Sequence, residues 1–279
     1  MTYAKPGQTG LDYHLCRYGG SRVAFRGPRR SLRGRYMAFL GGTDTFGRFI
    51  ETPFVPRLES TLATPAVNLG AINAGLDLYL NEPPVLDIAS RAEVTVIQVL
   101  GAQNMSNRYY AVHPRRNDRF LKASGLLERL FPEVDFTEFH FTRHLLGRLQ
   151  RLDESRFALV RQELQHAWLA RMKQLTTLVR GPIVLMWFAD QRPGQAGLGR
   201  LDRDPLFIDA PMLDALSGRV AATLEITPSE AAVAAGVADM VFGDGETEAA
   251  SEQMNAATHA EAARALAPVL REVMRQTVA

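Results

Sequence analysis

Short apolar runs that alternate with helical periodicity predict an α/β fold: a three-layer α/β/α sandwich built on a mostly parallel five-stranded sheet. The runs are almost uninterrupted in their apolarity, and each is bounded by Gly, Pro, Asn or Asp. Strands of that kind are covered on both faces, as in a parallel sheet. The 279 residues, 46% of them hydrophobic, are enough to bury a self-sufficient core.

Residues 1–35 come first and are strongly basic. Lys5, Arg17, Arg22, Arg26, Arg29, Arg30, Arg33 and Arg35 face only Asp12 there, so the segment is electropositive wherever it meets solvent. Its apolar residues, Tyr13, Leu15, Tyr18, Val23 and Phe25, favour an arm wrapped on the sheet over a separate unit. The first strand is expected at Tyr36–Leu40, closed by Gly41 and Gly42 with a helix just beyond. Further strands are expected at Ala66–Leu69, Val94–Leu100, Ile183–Phe188 and Ala222–Ile226. Residues 106–141 form a less regular insertion after the third run, where open α/β sheets build sites. Val160, Leu164, Ala167, Trp168, Leu175, Leu178 and Val179 follow a helical period. Leu266, Val269, Leu270, Val273 and Met274 give a closing amphipathic helix despite Pro268. Residues 1–279 are thus expected to form one domain.

Charge and cysteine content narrow the setting. The 32 basic and 30 acidic residues leave +2 at neutral pH, and no nucleic-acid-binding motif is present. The lone Cys16 has no internal disulfide partner, which makes a reduced cytoplasmic location the default. No signal peptide opens the sequence, and the longest apolar run, Ile183–Ala189, is far short of the roughly 20 residues that span a bilayer.

Thr43 stands at the junction of the first strand and the next helix, in Gly41-Gly42-Thr43-Asp44-Thr45-Phe46-Gly47. A hydroxyl there either caps the helix or acts as a nucleophile beside backbone N–H groups. The motif resembles the Gly-Asp-Ser opening of the SGNH, or GDSL-like, hydrolase superfamily. Val67–Gly75 resembles the second block of that superfamily, Gly101–Asn104 a loosened third block, and His259 its catalytic histidine. The whole chain resembles more closely a bacterial family related to the superfamily. It shares the Gly41–Gly47 motif, Val112–Phe120 and Glu133–Phe139 with that family, and no activity comes with the likeness.

The superfamily resemblance implies a flavodoxin-like three-layer fold and an acyl-transfer site. Thr43 would be nucleophile and His259 base, while N–H groups of Thr43 and Gly70 with the Asn104 amide stabilise an oxyanion. Three departures accompany it. Thr43 replaces serine, Gly42 replaces aspartate, and Ala256 stands where an aspartate precedes the histidine by three residues, with Asn255 one further back. Glu252 or Asp244 would then have to orient the imidazole. Substrate contacts are expected from Asp44, Asn73, Asn107, His113, Arg115, Arg116 and Arg119.

Other histidines have plainer readings beside a functional one. His140 and His144 have the i, i+4 spacing of a metal pair on one helix face, but that spacing is common, and no metal or other cofactor is expected. His166 beside Trp168 is structural, and Asp190 beyond the fourth run is either a site residue or a turn residue. The expected function is an SGNH-like esterase or O-acyltransferase acting on an O-acyl group of a carbohydrate or small ester. The alternative is a catalytically silent relative that binds an anionic saccharide or other anion through Arg115, Arg116 and Arg119. Neither nucleic acid nor membrane insertion is expected.

Overall fold

The computed structural model describes residues 10–195, 197 and 199–278, so Lys5 of the basic arm lies outside the described residues. In chain order the elements begin with β1 (Met37–Gly41), α1 (Thr43–Phe46), α2 (Phe54–Leu62), β2 (Ala66–Gly70), α3 (Leu76–Leu80), α4 (Pro83–Arg91) and β3 (Val94–Gln98). A hairpin of β4 (Tyr110–His113) and β5 (Arg116–Ala123) follows, then α5 (Gly125–Leu130), α6 (Thr142–Leu152) and α7 (Glu154–Leu178). The chain closes with β6 (Ile183–Phe188), α8 (Ala210–Asp214), β7 (Ala222–Ile226), α9 (Glu230–Ala235), α10 (Thr247–Ser251) and α11 (Ala256–Val278).

The five expected strands form one parallel sheet in the order β2-β1-β3-β6-β7. Strand periodicity divides its side chains between two faces. Met37, Phe39, Val94, Val96, Val184, Met186 and Phe188 meet α2 and α11 on one face. Ala38, Leu40, Val67, Leu69, Ile97, Leu185 and Trp187 meet α3, α4 and α7 on the other. The chain steps from β1 to β2 across the first face and returns to β3 across the second. The crossover direction therefore reverses at β1, which puts a topological switch point at its carboxyl end, where ligands of such sheets bind.

The buried stripe of α11 runs through Ala262, Ala263, Leu266, Leu270 and Val273. Pro268 is tolerated inside this helix because it lies on the exposed side, where the carbonyl it leaves without an N–H donor meets water. In α7 the stripe is Phe157, Val160, Leu164, Trp168, Met172 and Leu175, while Leu178 turns outward. No helix among the described residues is long and apolar enough to cross a membrane.

The insertion is more regular than its sequence suggested. Its hairpin lies apart from the main sheet, and a bridge between Arg119 and Phe141 ties β5 to the start of α6. The amino-terminal arm does wrap the core, with Tyr13, Tyr18 and Phe25 buried and Leu15 exposed. Its charge is matched only in part: Arg17, Arg22, Arg29 and Arg33 are exposed with no carboxylate partner among the described residues. Arg30 pairs with Glu59 at 2.8 Å, and Arg35 pairs with Glu93. Arg26 is buried and donates to the carbonyls of Phe46, Gly47, Ile50 (2.7 Å) and Glu51 (2.8 Å). Burial lowers its pKa to about 10. The arm thereby holds the chain just beyond α1.

Two loops at the carboxyl end of the sheet touch backbone to backbone. A Cβ at Gly75 would sit 1.6 Å from the Asn104 carbonyl oxygen, so only glycine allows this approach. Gly75→Ala is expected to cost roughly 3 kcal/mol in denaturant unfolding. Gly218→Ala, with nothing within 4 Å of the new methyl, is expected to stay within about 0.5 kcal/mol of wild type. Equal effects of the two substitutions would contradict this packing.

Candidate active-site crevice

Thr43 is the first residue of α1, with Gly42 rather than Thr43 at the N-cap position, and no side-chain cap bond forms. The capping role is therefore excluded, and the half-buried hydroxyl faces the loop after β2. It donates to Asn73 Oδ1 at 3.3 Å and accepts from the Asn73 backbone N–H at 3.1 Å. Asn73 has φ of 55°, a left-handed conformation that asparagine tolerates better than most residues and that aims its N–H at Thr43. Its Nδ2 donates to Asp118 Oδ2 at 3.2 Å, and its carbonyl accepts from Asn104 Nδ2 at 3.4 Å. Asn104 Oδ1 in turn accepts from the Thr142 hydroxyl at 2.8 Å. Thr43, Asn73, Asn104, Asp118 and Thr142 thus form one hydrogen-bonded cluster drawn from five stretches of chain.

Asp44, next in the chain, turns to a different set of partners. Its carboxylate accepts from the Met254 backbone N–H at 3.0 Å and hydrogen-bonds to the Gln98 side chain. Burial raises its pKa to about 6, with the charge of Asp204 adding to the effect and the bonds from Met254 and Gln98 opposing it. Burial also raises the pKa of Asp118, against the Asn73 bond and the charges of Arg119 and Arg116. Gln98 Oε1 accepts from the Gly42 N–H at 2.9 Å and from the Thr45 hydroxyl at 2.6 Å, which fixes the turn carrying Thr43.

The expected catalytic set does not assemble. His259 lies in the core one turn ahead of Ala262 and Ala263, on the same buried stripe of α11. Its ring stacks on Phe54 at 5.7 Å and meets the edge of Phe188 at 5.4 Å. Nδ1 accepts from the Phe54 N–H at 3.3 Å, capping the start of α2, and buried Nε2 has no hydrogen-bond partner among the described residues. No hydrogen bond joins it to Thr43, and neither Glu252 nor Asp244 holds the ring. Desolvation, aided by the charges of Arg26 and Arg57, lowers its pKa to about 3, so the ring is neutral at physiological pH.

Two of the three expected oxyanion donors, Gly70 and Asn104, are engaged as well. The Gly70 N–H donates to Asn68 Oδ1 at 2.9 Å, and the glycine is there because a Cβ would fall 2.4 Å from the Phe46 nitrogen. Asn104 points an amide N–H at the Asn73 carbonyl.

Several other expected contacts prove to shape loops. Asn107 accepts from the Tyr109 and Tyr110 N–H groups and donates to the Met105 carbonyl. His113 Nδ1 closes the hairpin turn by accepting from the Arg115 and Arg116 N–H groups, both at 3.2 Å. Arg115 and Arg116 are exposed at that turn, while the Arg119 guanidinium stacks 4.1 Å above the Phe141 ring. His140 precedes α6, so it shares no helix face with His144, and both are exposed. His166 is exposed on α7, and Asp190 pairs with Arg203.

Four site residues were not picked out in the sequence: Gln98, Asp118, Thr142 and Asp204. Gln98 does carry a signal, as a polar residue inside the apolar run Val94–Leu100, and Asp118 falls inside the Val112–Phe120 block. Thr142 and Asp204 carry none.

The chain belongs to the family described as Domain of unknown function (DUF6473), whose model matches residues 1–274. No curated protein matches the sequence. Among solved structures it is similar to a carbohydrate esterase family 2 enzyme with a carbohydrate-binding domain from Corynascus thermopiles (Myceliophthora fergusii). That match has 11% identity and a TM-score of 0.42, and covers 89% of this chain and 69% of the other. An acetyl xylan esterase from the rumen bacterium Butyrivibrio proteoclasticus matches at 9% identity and a TM-score of 0.44, over 90% of this chain and 66% of its own. An acetylxylan esterase from Geobacillus stearothermophilus matches at 16% identity and a TM-score of 0.39, over 86% and 94% respectively. Likeness at this level assigns no activity to the chain.

The raised pKa of Asp44 gives stability a definite pH dependence. Its carboxyl titrates near 6 when folded and near 3.8 in the reference state, so the folded protein holds this proton more tightly. The resulting stability is fully present below about pH 4 and is lost as pH rises through about 6. Thermal unfolding of wild type is expected to weaken across that window by an amount missing from Asp44→Asn. Parallel pH profiles for the two proteins would contradict the assignment.

Proposed function

We propose that the crevice at Thr43 binds a neutral saccharide, or an O-acylated one, and that it does so without histidine-assisted hydrolysis. The observation that carries this reading is the division of labour between the two expected catalytic residues. The Thr43 hydroxyl is tied to Asn73, and through Asn73 to Asn104 and Asp118, whereas the His259 imidazole caps α2 inside the core. Sugar hydroxyls both donate and accept hydrogen bonds. Side-chain amides offer both kinds of partner, and carboxylates accept. The carboxylates of Asp44 and Asp118 make this a poor place for an anion, while Arg119 is stacked on Phe141 and Asp204 is paired with Arg143. A neutral ligand therefore fits the crevice better than the anionic saccharide suggested by the arginine clusters.

One observation favours hydrolysis of an O-acyl group as a second reading. Asp44 directly follows Thr43 and has a pKa of about 6, so near neutral pH its carboxylate can take up a proton. In that reaction Thr43 Oγ1 attacks the ester carbonyl and gives up its proton to a carboxylate. The sugar leaves with a proton, and water then releases the acid from the acyl-threonine.

Calorimetry and an acetate-release assay with xylo-oligosaccharides, plain and acetylated, separate the two readings. Binding is expected to weaken roughly tenfold or more in Asn73→Ala, with no acetate release above buffer. Acetate release lost in both Thr43→Ala and Asp44→Asn would establish the second reading. Release lost in both Thr43→Ala and His259→Gln would overturn both.

A further inference from the structure

An open cavity of about 420 Å3 lies between the start of α2, the chain just after α9 and the first turns of α11. This is within the size range of small-molecule sites. Its floor carries the methyl groups of Ala256, Ala257 and Ala260, and its charged groups are Arg57, Glu51 and Asp239. It shares no lining residue with the Thr43 crevice.

No ion pair joins the charged groups of this cavity to one another. Arg57 is half-buried, and its Nε donates to the Thr52 carbonyl at 2.7 Å, which fixes the guanidinium plane. The remaining N–H groups of Arg57 meet no carboxylate among the described residues. Glu51 and Asp239 line the same cavity, and their carboxylates likewise have no cation or hydrogen-bond donor among the described residues.

The walls are tied in place before any ligand arrives. Ile50 and Met240 form a bridge, Val241 N–H donates to the Phe49 carbonyl at 2.7 Å, and Arg26 holds the carbonyls of Ile50 and Glu51. Asn255 Nδ2 donates to the Ala232 and Gly236 carbonyls at 2.6 and 2.7 Å, joining the end of α9 to the start of α11. A preformed site of this kind has little to order when a ligand binds.

We infer that this cavity is a binding site for a small zwitterion, an α-amino acid with a compact apolar side chain. The ligand carboxylate meets the two-pronged face of Arg57, which suits planar anions. Its ammonium lies towards Glu51 and Asp239, and its side chain covers the alanine methyls. A ligand with only one charge leaves one side of the cavity unmatched, so both charges are required.

Isothermal calorimetry on the full chain tests this with L-alanine, L-valine and L-leucine as probes. Isovalerate and isobutylamine serve as analogues of valine that lack the ammonium and the carboxylate respectively. Saturable heat is expected with at least one amino acid, and affinity roughly tenfold weaker or worse for both analogues. Arg57→Gln is expected to weaken binding to a similar extent. Ala260→Leu, which keeps a strong helix former and leaves the charges alone, is expected to abolish binding by filling the floor. If Arg57→Gln does not fold, Ala260→Leu decides the matter. The inference is overturned by no saturable heat with any of the three amino acids at millimolar concentration. It is equally overturned by isovalerate binding as well as valine, or by binding unchanged in a folded variant.

Discussion

The carboxyl end of the sheet depends on a small set of side chains that supply hydrogen bonds the strand ladder cannot. Where parallel strands end, backbone groups lose their ladder partners, and burial makes each unmet group costly. Gln98 accepts from the Gly42 N–H and the Thr45 hydroxyl and reaches Asp44. Tyr79 completes the same corner by accepting from the Gly41 N–H at 2.9 Å and meeting the Leu69 carbonyl at 3.0 Å. With this corner set, α1 starts in one orientation, Thr43 bonding to Asn73 while Asp44 bonds to Met254 and Gln98. Arg26 secures the far end of α1 from the arm.

The position of His259 follows from helix geometry rather than from chemistry. A residue three or four positions ahead of Ala262 and Ala263, and seven ahead of Leu266, falls on the stripe those residues bury. Once there, the imidazole meets Phe54 and Phe188 and takes up the first N–H of α2, a group the helix itself cannot satisfy. Its aromatic and polar properties both serve the packing of α2 on α11. A buried neutral ring in that role is a poor base for a hydroxyl in the crevice.

Much of the fold was legible because its signals are local and repeated. The five runs of apolar residues became the five strands: β1, β2, β3 and β6 are buried along their whole length, which requires near-continuous apolarity, while β7 at the sheet edge is part-exposed. Thr43 and Asn73, both singled out in the sequence, are joined by hydrogen bonds in the structure. The sequence was misleading at His259, where position along the chain matched a catalytic histidine but the helical stripe settled the direction of the ring. That stripe was itself readable from Leu266, Leu270 and Val273, extended back by two turns. Gly70 and Asn104 were misjudged for another reason. Their hydrogen-bond partners, Asn68, Asn73 and Thr142, are fixed by tertiary contact, and sequence spacing says nothing about them.

The central claim is that Thr43 and His259 belong to different environments, one a polar crevice and the other an apolar core. Nitrogen-15 NMR of the His259 imidazole across pH tests it most directly. The structure predicts a neutral ring with Nδ1 accepting from Phe54 and the proton on Nε2, unchanged from pH 8 to below pH 5 because its pKa is depressed to about 3. A titration midpoint near the ordinary histidine value, about 6.5, or a ring signal that shifts in Thr43→Ala, would contradict the account.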